Sequence, residues 1–200
     1  MLYVVLRELF RWLLLLACSA RTARLPRRLP PGGFVLASNH QSYLDPILLG
    51  GSLRRPISFM ARDTLFKNPL FGGVIRRVHA FPVRRGGVGK EGLREAVTRL
   101  RAGRPVVVFV EGTRSKNGEI GPMKDGAGLL SRLASVPVVP AAVDTHRAWP
   151  RKRAFPLPAP VRVACGEAIP AERFREDPEG ARAQLETEIR DLHRNLTRRI

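Results

Sequence analysis

Cysteine is scarce: the 200-residue chain has 2, Cys18 and Cys165. That count excludes a disulfide scaffold. Neither lies in a CxxC pair or near a histidine at ligand spacing, so no metal site is expected. Both fall in apolar stretches and read as small buried or lipid-facing residues, which suits a cytoplasmic setting. Aromatic residues reach only 6%, too few for the stacking surfaces that hold single-stranded nucleic acid. Acid is short as well: 17 Asp and Glu stand against 35 Lys and Arg, a net charge of +18. Such a surface attracts an anion, and nucleic acid, an acidic bilayer and a phosphorylated substrate all qualify. The arginines are spread along the whole chain rather than gathered in one stripe, so no nucleic-acid partner is expected.

Long apolar runs are missing too. Residues 1–18 are rich in Leu and Val, but Arg7, Glu8 and Arg11 interrupt them, and the longest clean run is 12–18. A membrane span needs about 20 such residues. At helical spacing the three charges share one face, with Arg11 in pairing reach of both others. That pattern predicts a helix lying in the membrane interface with Trp12 near the headgroups. Arg21, Arg24, Arg27 and Arg28 follow, a basic cluster suited to anionic lipid. A helix packed on the protein's own core is the competing reading. A secretory signal fits poorly, because charge sits inside the apolar region and no small-x-small cleavage site precedes the arginines.

Hydrophobic residues make up 44% of the chain, enough for one folded domain. Pro26, Pro30, Pro31, Gly32 and Gly33 mark a linker. The chain therefore divides into a membrane-associating helix and linker, 1–30, and a catalytic-sized domain, 31–200. Short apolar runs at 34–38, 57–60, 78–83, 106–110, 136–143 and 161–165 read as strands. Leu93, Val97 and Leu100 predict a helix over 90–101 that Gly103 ends, and 126–133 is a shorter one. Leu185, Ile189, Leu192 and Leu196 predict an amphipathic helix within 178–200. The alternation implies an α/β fold with a mostly parallel central sheet flanked by helices.

Polar clusters follow three of these strands, where parallel α/β sheets place their sites. After 34–38 comes Asn39-His40-Gln41-Ser42-Tyr43-Leu44-Asp45-Pro46. Four residues separate His40 from Asp45, which a continuous helix would not align. Pro46 pushes Asp45 towards extended backbone, so the segment turns and can bring the two together. A carboxylate on an imidazole fixes its tautomer and makes it an effective base. The same letters also read as a helix start, Asp as N-cap and Pro at the first position, beside a merely buried histidine. Ser42 is a poor nucleophile candidate, two residues from His40 and outside any GxSxG elbow. After 106–110 comes Glu111-Gly112-Thr113-Arg114-Ser115, whose glycine, hydroxyls and guanidinium suit a phosphate. Arg84-Arg85-Gly86-Gly87 closes 78–83 in similar style. Charged turns are the plain alternative for both.

In order along the chain, Asn39-His40 to Asp45, Phe81-Pro82-Val83-Arg84-Arg85, Glu111 to Ser115, and Val136-Pro137-Val138-Val139-Pro140 resemble the four sequence blocks of the glycerolipid acyltransferases. The bacterial lysophosphatidic acid acyltransferases are the nearest in pattern. Residues 61–73 and Met123-Lys124-Asp125-Gly126-Ala127 resemble the family's connecting text. The resemblance covers roughly residues 30–170 and rests on four blocks together.

It implies that His40 is a general base and Asp45 its orienter. It assigns Glu111, Gly112, Thr113 and Arg114, with Arg85 and beside it Arg84, to the acceptor's phosphate. Arg62 falls where relatives carry a Lys near the reacting carbonyl, and Lys124 is a second candidate for an oxyanion or thioester contact. Val110 stands where a Pro is usual. The implied reaction moves an acyl chain from acyl-CoA or acyl carrier protein to the 2-hydroxyl of lysophosphatidic acid, giving phosphatidic acid, with no cofactor. Another lysophospholipid or glycerol acceptor is the alternative within enzymes; a basic membrane-surface or nucleic-acid-binding protein is the alternative outside them. The expected location is the cytoplasmic face of the cell membrane, peripheral or monotopic, against anionic phospholipid.

Overall fold

The computed structural model of the chain describes residues 21–24, 29–53, 55–83, 89–150, 153 and 155–198. Its central strand, β2 (Val35–Ser38), is buried at all four positions. It pairs in parallel with β5 (Val106–Phe109) on one flank and β6 (Val138–Asp144) on the other. Strands covered on both faces need apolar residues without alternation, hence VVVF and VVPAAVD. Beyond β5 lie β3 (Ser58–Arg62) and β4 (Ala80–Val83), also parallel. Beyond β6, β7 (Arg162–Cys165) runs antiparallel to it, and β1 (Arg21–Arg24) pairs in parallel with β7. The order is β1-β7-β6-β2-β5-β3-β4. From β6 to β4 the strands share one direction, so Ser38, Arg62, Val83, Phe109 and Asp144 end along one edge.

Two apolar layers sandwich the sheet. On one side α1 (Asp45–Ser52) sets Leu48 and Leu49 against Leu36, Val139 and Val163. On the other, α3 (Lys90–Arg101), α4 (Gly126–Ala134) and α6 (Pro178–Thr197) set Leu100, Leu130 and Ile189 against Val35, Val106 and Val138. Along β2, Leu36 serves the first layer and Val35 and Ala37 the second, the two-residue period of a strand. The remaining helices are α2 (Pro69–Arg77) and α5 (Ala171–Glu176); a 3-10 turn, Asp63–Phe66, precedes α2.

The mostly parallel α/β sheet agrees with the sequence pattern, and α3 keeps its expected bounds. Three local expectations need correction. The strand expected over 78–83 starts at Ala80, because Val78 caps α2 and His79 follows at φ +63°. The sheet begins ahead of the linker: 21–24, expected to be only a basic cluster, is edge strand β1. Asp45 is not extended; it opens α1, and the reversal is made by 41–44. The interfacial helix over 1–18, Cys18, Arg27 and Arg28 lie outside the described residues.

Gly33 leads into β2 where the strand passes the end of α3, and a Cβ there would run into the carbonyl oxygen of Leu100. The Leu100 atoms it meets are all backbone, so none can rotate away. Gly33→Ala is expected to lower stability by about 1–3 kcal/mol, as overpacking does. Urea unfolding with unchanged midpoint would contradict this packing.

Candidate active site

The loop leaving β2 is tied down at every residue. Asn39 is buried, and its side-chain amide donates to the Val143 carbonyl (3.0 Å) and accepts from the Val143 amide (2.8 Å). It thus mimics a strand residue and fixes the loop to β6. His40 comes next. Its Nδ1 lies 2.7 Å from Oδ2 of Asp45. The Asp45 side chain is completely buried, whereas that of His40 is 18% exposed.

Four further donors converge on that buried carboxylate. Oδ2 accepts from the Gln41 and Ser42 amides at 2.6 and 2.9 Å. Oδ1 accepts from the Ser42 hydroxyl at 3.1 Å and from the Thr145 hydroxyl. The reversal at 41–44 makes the amide contacts possible, and α1 starts where Asp45 has turned inward. Asp45 therefore opens a helix and holds His40 at once; it is the first helical residue, not the N-cap, which is Leu44, and its carboxylate caps no helix amide. With Asp45 accepting at Nδ1, a neutral imidazole carries its proton there, which leaves Nε2 as the acceptor nitrogen. Phe109 fixes the ring plane by stacking, centroids 3.9 Å apart and planes 15° apart. The Ser42 hydroxyl is buried and divided between Asp45 and Thr145, so it is no nucleophile.

Glu111 is brought to the same place. It follows β5, beside β2 in the sheet, and is buried. Its Oε1 accepts from the His40 amide at 2.9 Å and its Oε2 from the Gly121 amide at 3.0 Å. The His40 carbonyl accepts from the Ser115 amide at 2.7 Å. The 111–115 loop thus grips the histidine backbone from both sides. Gly112 has φ +68°, and Lys124 lays its side chain across it, where a Cβ would meet Nζ at 3.0 Å. Thr113 is exposed, and Arg114 stacks on the Tyr43 ring at 3.7 Å while donating to its hydroxyl at 3.0 Å. Arg62 stands exposed at the end of β3, on the same sheet edge. Arg84 and Arg85 lie outside the described residues. Cys165 is buried in β7, where desolvation pushes its thiol up to about 12.

A family model described as Acyltransferase matches residues 21–144. The chain belongs to that family. Among relatives, the 1-acyl-sn-glycerol-3-phosphate acyltransferase of Bacillus subtilis is 38% identical over 55% of this chain and 55% of its own. The human 1-acyl-sn-glycerol-3-phosphate acyltransferase beta is 33% identical over 74% of this chain and 55% of its own. The chain thus spans about half the length of these curated relatives. The crystal structure of the 1-acyl-sn-glycerophosphate (LPA) acyltransferase PlsC of Thermotoga maritima superposes with a TM-score of 0.80. It is 26% identical and covers 96% of this chain and 76% of that one.

In this chain, motif reading finds the His40–Asp45 pair but misses its supports. Thr145 directly follows β6, and that position after a strand was the available signal. Gln41 carried no signal. Its Oε1 accepts from the Thr145 and His146 amides at 2.8 and 3.1 Å, so its Nε2 must donate, to Gly118 O at 2.6 Å and to Nε2 of His193 at 2.9 Å. His193 is therefore a neutral acceptor there. Burial lowers its pKa from 6.5, with nearby Asp144 pulling the other way.

Two outcomes follow from this geometry. Thr145→Val is expected to cost about 1–3 kcal/mol by leaving a buried carboxylate oxygen short of a donor, while Thr145→Ser keeps most of it; equal melting of both variants would contradict the contact. His193 should titrate below 6.5 by NMR. An imidazole neutral when folded contributes stability above its unfolded pKa, lost as pH falls through the folded value. Asp144→Asn should move that titration lower still, and an upward move would refute the arrangement.

Proposed function

We propose that the protein is a 1-acyl-sn-glycerol-3-phosphate acyltransferase. It transfers an acyl chain from an acyl-CoA or acyl carrier protein thioester to the 2-hydroxyl of lysophosphatidic acid. The observation that carries this is the His40–Asp45 pair at 2.7 Å, with Nε2 of His40 uncommitted to Asp45, in a chain of the acyltransferase family. The acceptor hydroxyl sits beside Nε2. His40 takes its proton as the oxygen bonds to the thioester carbonyl carbon. The tetrahedral oxyanion is met by Arg62 or Lys124. Collapse breaks the C–S bond, and the departing thiolate takes the proton back from His40. The stacked, carboxylate-held ring needs no reorientation between the two transfers.

The phosphate of the acceptor is held by Arg114, with Thr113, the Gly112 backbone, Arg85 and Arg84 around it. Arg114 swings from the Tyr43 ring to reach it, exchanging a cation–π contact for a charge-assisted pair. Glu111 belongs to this block by resemblance, but its oxygens are taken by two backbone amides, and a carboxylate repels phosphate. Its task is to position His40. The segment ahead of β1 associates with the cytoplasmic face of the cell membrane, where substrate and product reside. Residues 1–30 serve that contact and 31–200 the chemistry, with β1 lending its strand to the sheet.

The test incubates purified protein with lysophosphatidic acid, palmitoyl-CoA and anionic vesicles, following thiol release and phosphatidic acid. His40→Ala is expected to lose about 10²–10⁴-fold, the worth of a general base. Arg114→Ala should raise KM for the acceptor more than it lowers kcat. Equal turnover by wild type and His40→Ala would remove His40 from its role. Acyl carrier protein thioesters and other lysolipids, tried in turn, decide donor and acceptor.

A further inference from the structure

Helix α2 breaks the usual partition of a surface helix, which turns charge outward and apolar residues inward. Inward, Ile75 packs on the core and Gly72 sits against the Phe66 carbonyl, 2.9 Å from where a Cβ would be. Outward it is apolar too. Leu70 is 84% exposed, Phe71 49% and Val74 40%; Leu65, in the 3-10 turn, is 40% exposed. Leu70 and Val74 are one turn apart and Phe71 adjoins them, so they form one patch. Local contacts anchor the helix that carries the patch. Asn68 caps α2 by accepting from the Phe71 amide at 3.0 Å, and Arg76 lies 4.9 Å over the Phe66 ring.

The charge carried by this segment is mostly basic. From Arg62 to Arg77 the exposed bases are Arg62, Lys67, Arg76 and Arg77, and the acid is Asp63. α2 also departs from the strand edge that bears His40, so its first turn, with Leu70 and Phe71, lies towards that edge. A second copy of this chain is a poor occupant: an isologous contact would press like charges together in a protein of net +18. An anionic bilayer satisfies both features, taking the apolar side chains below the headgroups and the bases at the phosphates.

We propose that the Leu65–Val74 face is a bilayer-docking surface, separate from the segment ahead of β1, that sets the His40 edge of the sheet against anionic lipid. This deepens the reading above, since a lysophospholipid must be met at a bilayer, yet it stands on exposure and charge rather than on catalysis.

The test uses the full chain with Cys18→Ser and either Leu70→Cys or, as control on the opposite layer, Glu176→Cys, each carrying a nitroxide. Vesicles contain phosphatidylglycerol and phosphatidylcholine, or phosphatidylcholine alone. On the anionic vesicles the label at 70 is expected to gain oxygen collisions and lose collisions with a water-soluble nickel chelate, while the label at 176 stays unchanged. Leu70→Glu combined with Phe71→Glu should weaken vesicle partitioning about tenfold or more with the melting curve preserved, both residues being exposed. Bound protein whose label at 70 remains nickel-accessible would overturn the proposal. So would failure to bind anionic vesicles, or immobilisation of the label by dimerisation without lipid. A chain inactive in acyl transfer whose label still enters the bilayer would sink the catalytic reading and uphold this one.

Discussion

One buried carboxylate organises this protein. Asp45 has no exposed surface, and an unpaired charge there would be ruinous. Five donors meet it, from the His40 ring, the Gln41 and Ser42 amides, and the Ser42 and Thr145 hydroxyls. Four come from its own loop and the fifth from the end of β6. The loop must therefore reverse within 41–44, and β6 must lie next to β2 in the sheet. Local turn and long-range strand order are two consequences of one desolvation problem.

A second carboxylate repeats the device one strand over. Glu111 joins the His40 amide to the Gly121 amide, so the loop after β5 is fastened to the loop after β2. Because β2 lies between β5 and β6, His40 is braced from both neighbours: through Glu111 and Ser115 on one side, through Asn39, Gln41 and Thr145 on the other. Its ring is held at Nδ1 by Asp45 and across its plane by Phe109. What remains free to engage another molecule is Nε2. On the proposed function, that is the atom that must move a proton twice.

Much of this was legible in the sequence, for identifiable reasons. The buried strands showed because their faces are both covered, and α3 and α6 because each has one wet side. His40 and Asp45 showed as a spaced pair after a strand. The supports did not. Thr145, Gln41 and Asn39 act through contacts across about a hundred positions of sequence, and no local pattern encodes such a pairing. Helix α2 was missed because its outward face is apolar and Gly72 and Gly73 dilute the rest, so no clean period survives. Strand β1 was missed because RTAR reads as charge, and an edge strand need not be apolar.

The charge imbalance of the chain acquires a geometry from this. The two carboxylates that hold His40 are inside, and they are spent: Asp45 on the ring, two amides and two hydroxyls, Glu111 on two amides. The bases are outside and have somewhere to go. Arg114 rests on an exposed Tyr43, Lys124 crosses a glycine, and Arg62 stands at a strand end. On the proposed function, an anionic acceptor approaching this edge meets the cations Arg62, Arg114 and Lys124, while the carboxylates of Asp45 and Glu111 lie buried beneath. Reversing that order, with carboxylates at the rim, would repel a phosphate while leaving the dyad intact. A net charge of +18 is thus the outer half of the same arrangement whose inner half is two buried, fully engaged carboxylates.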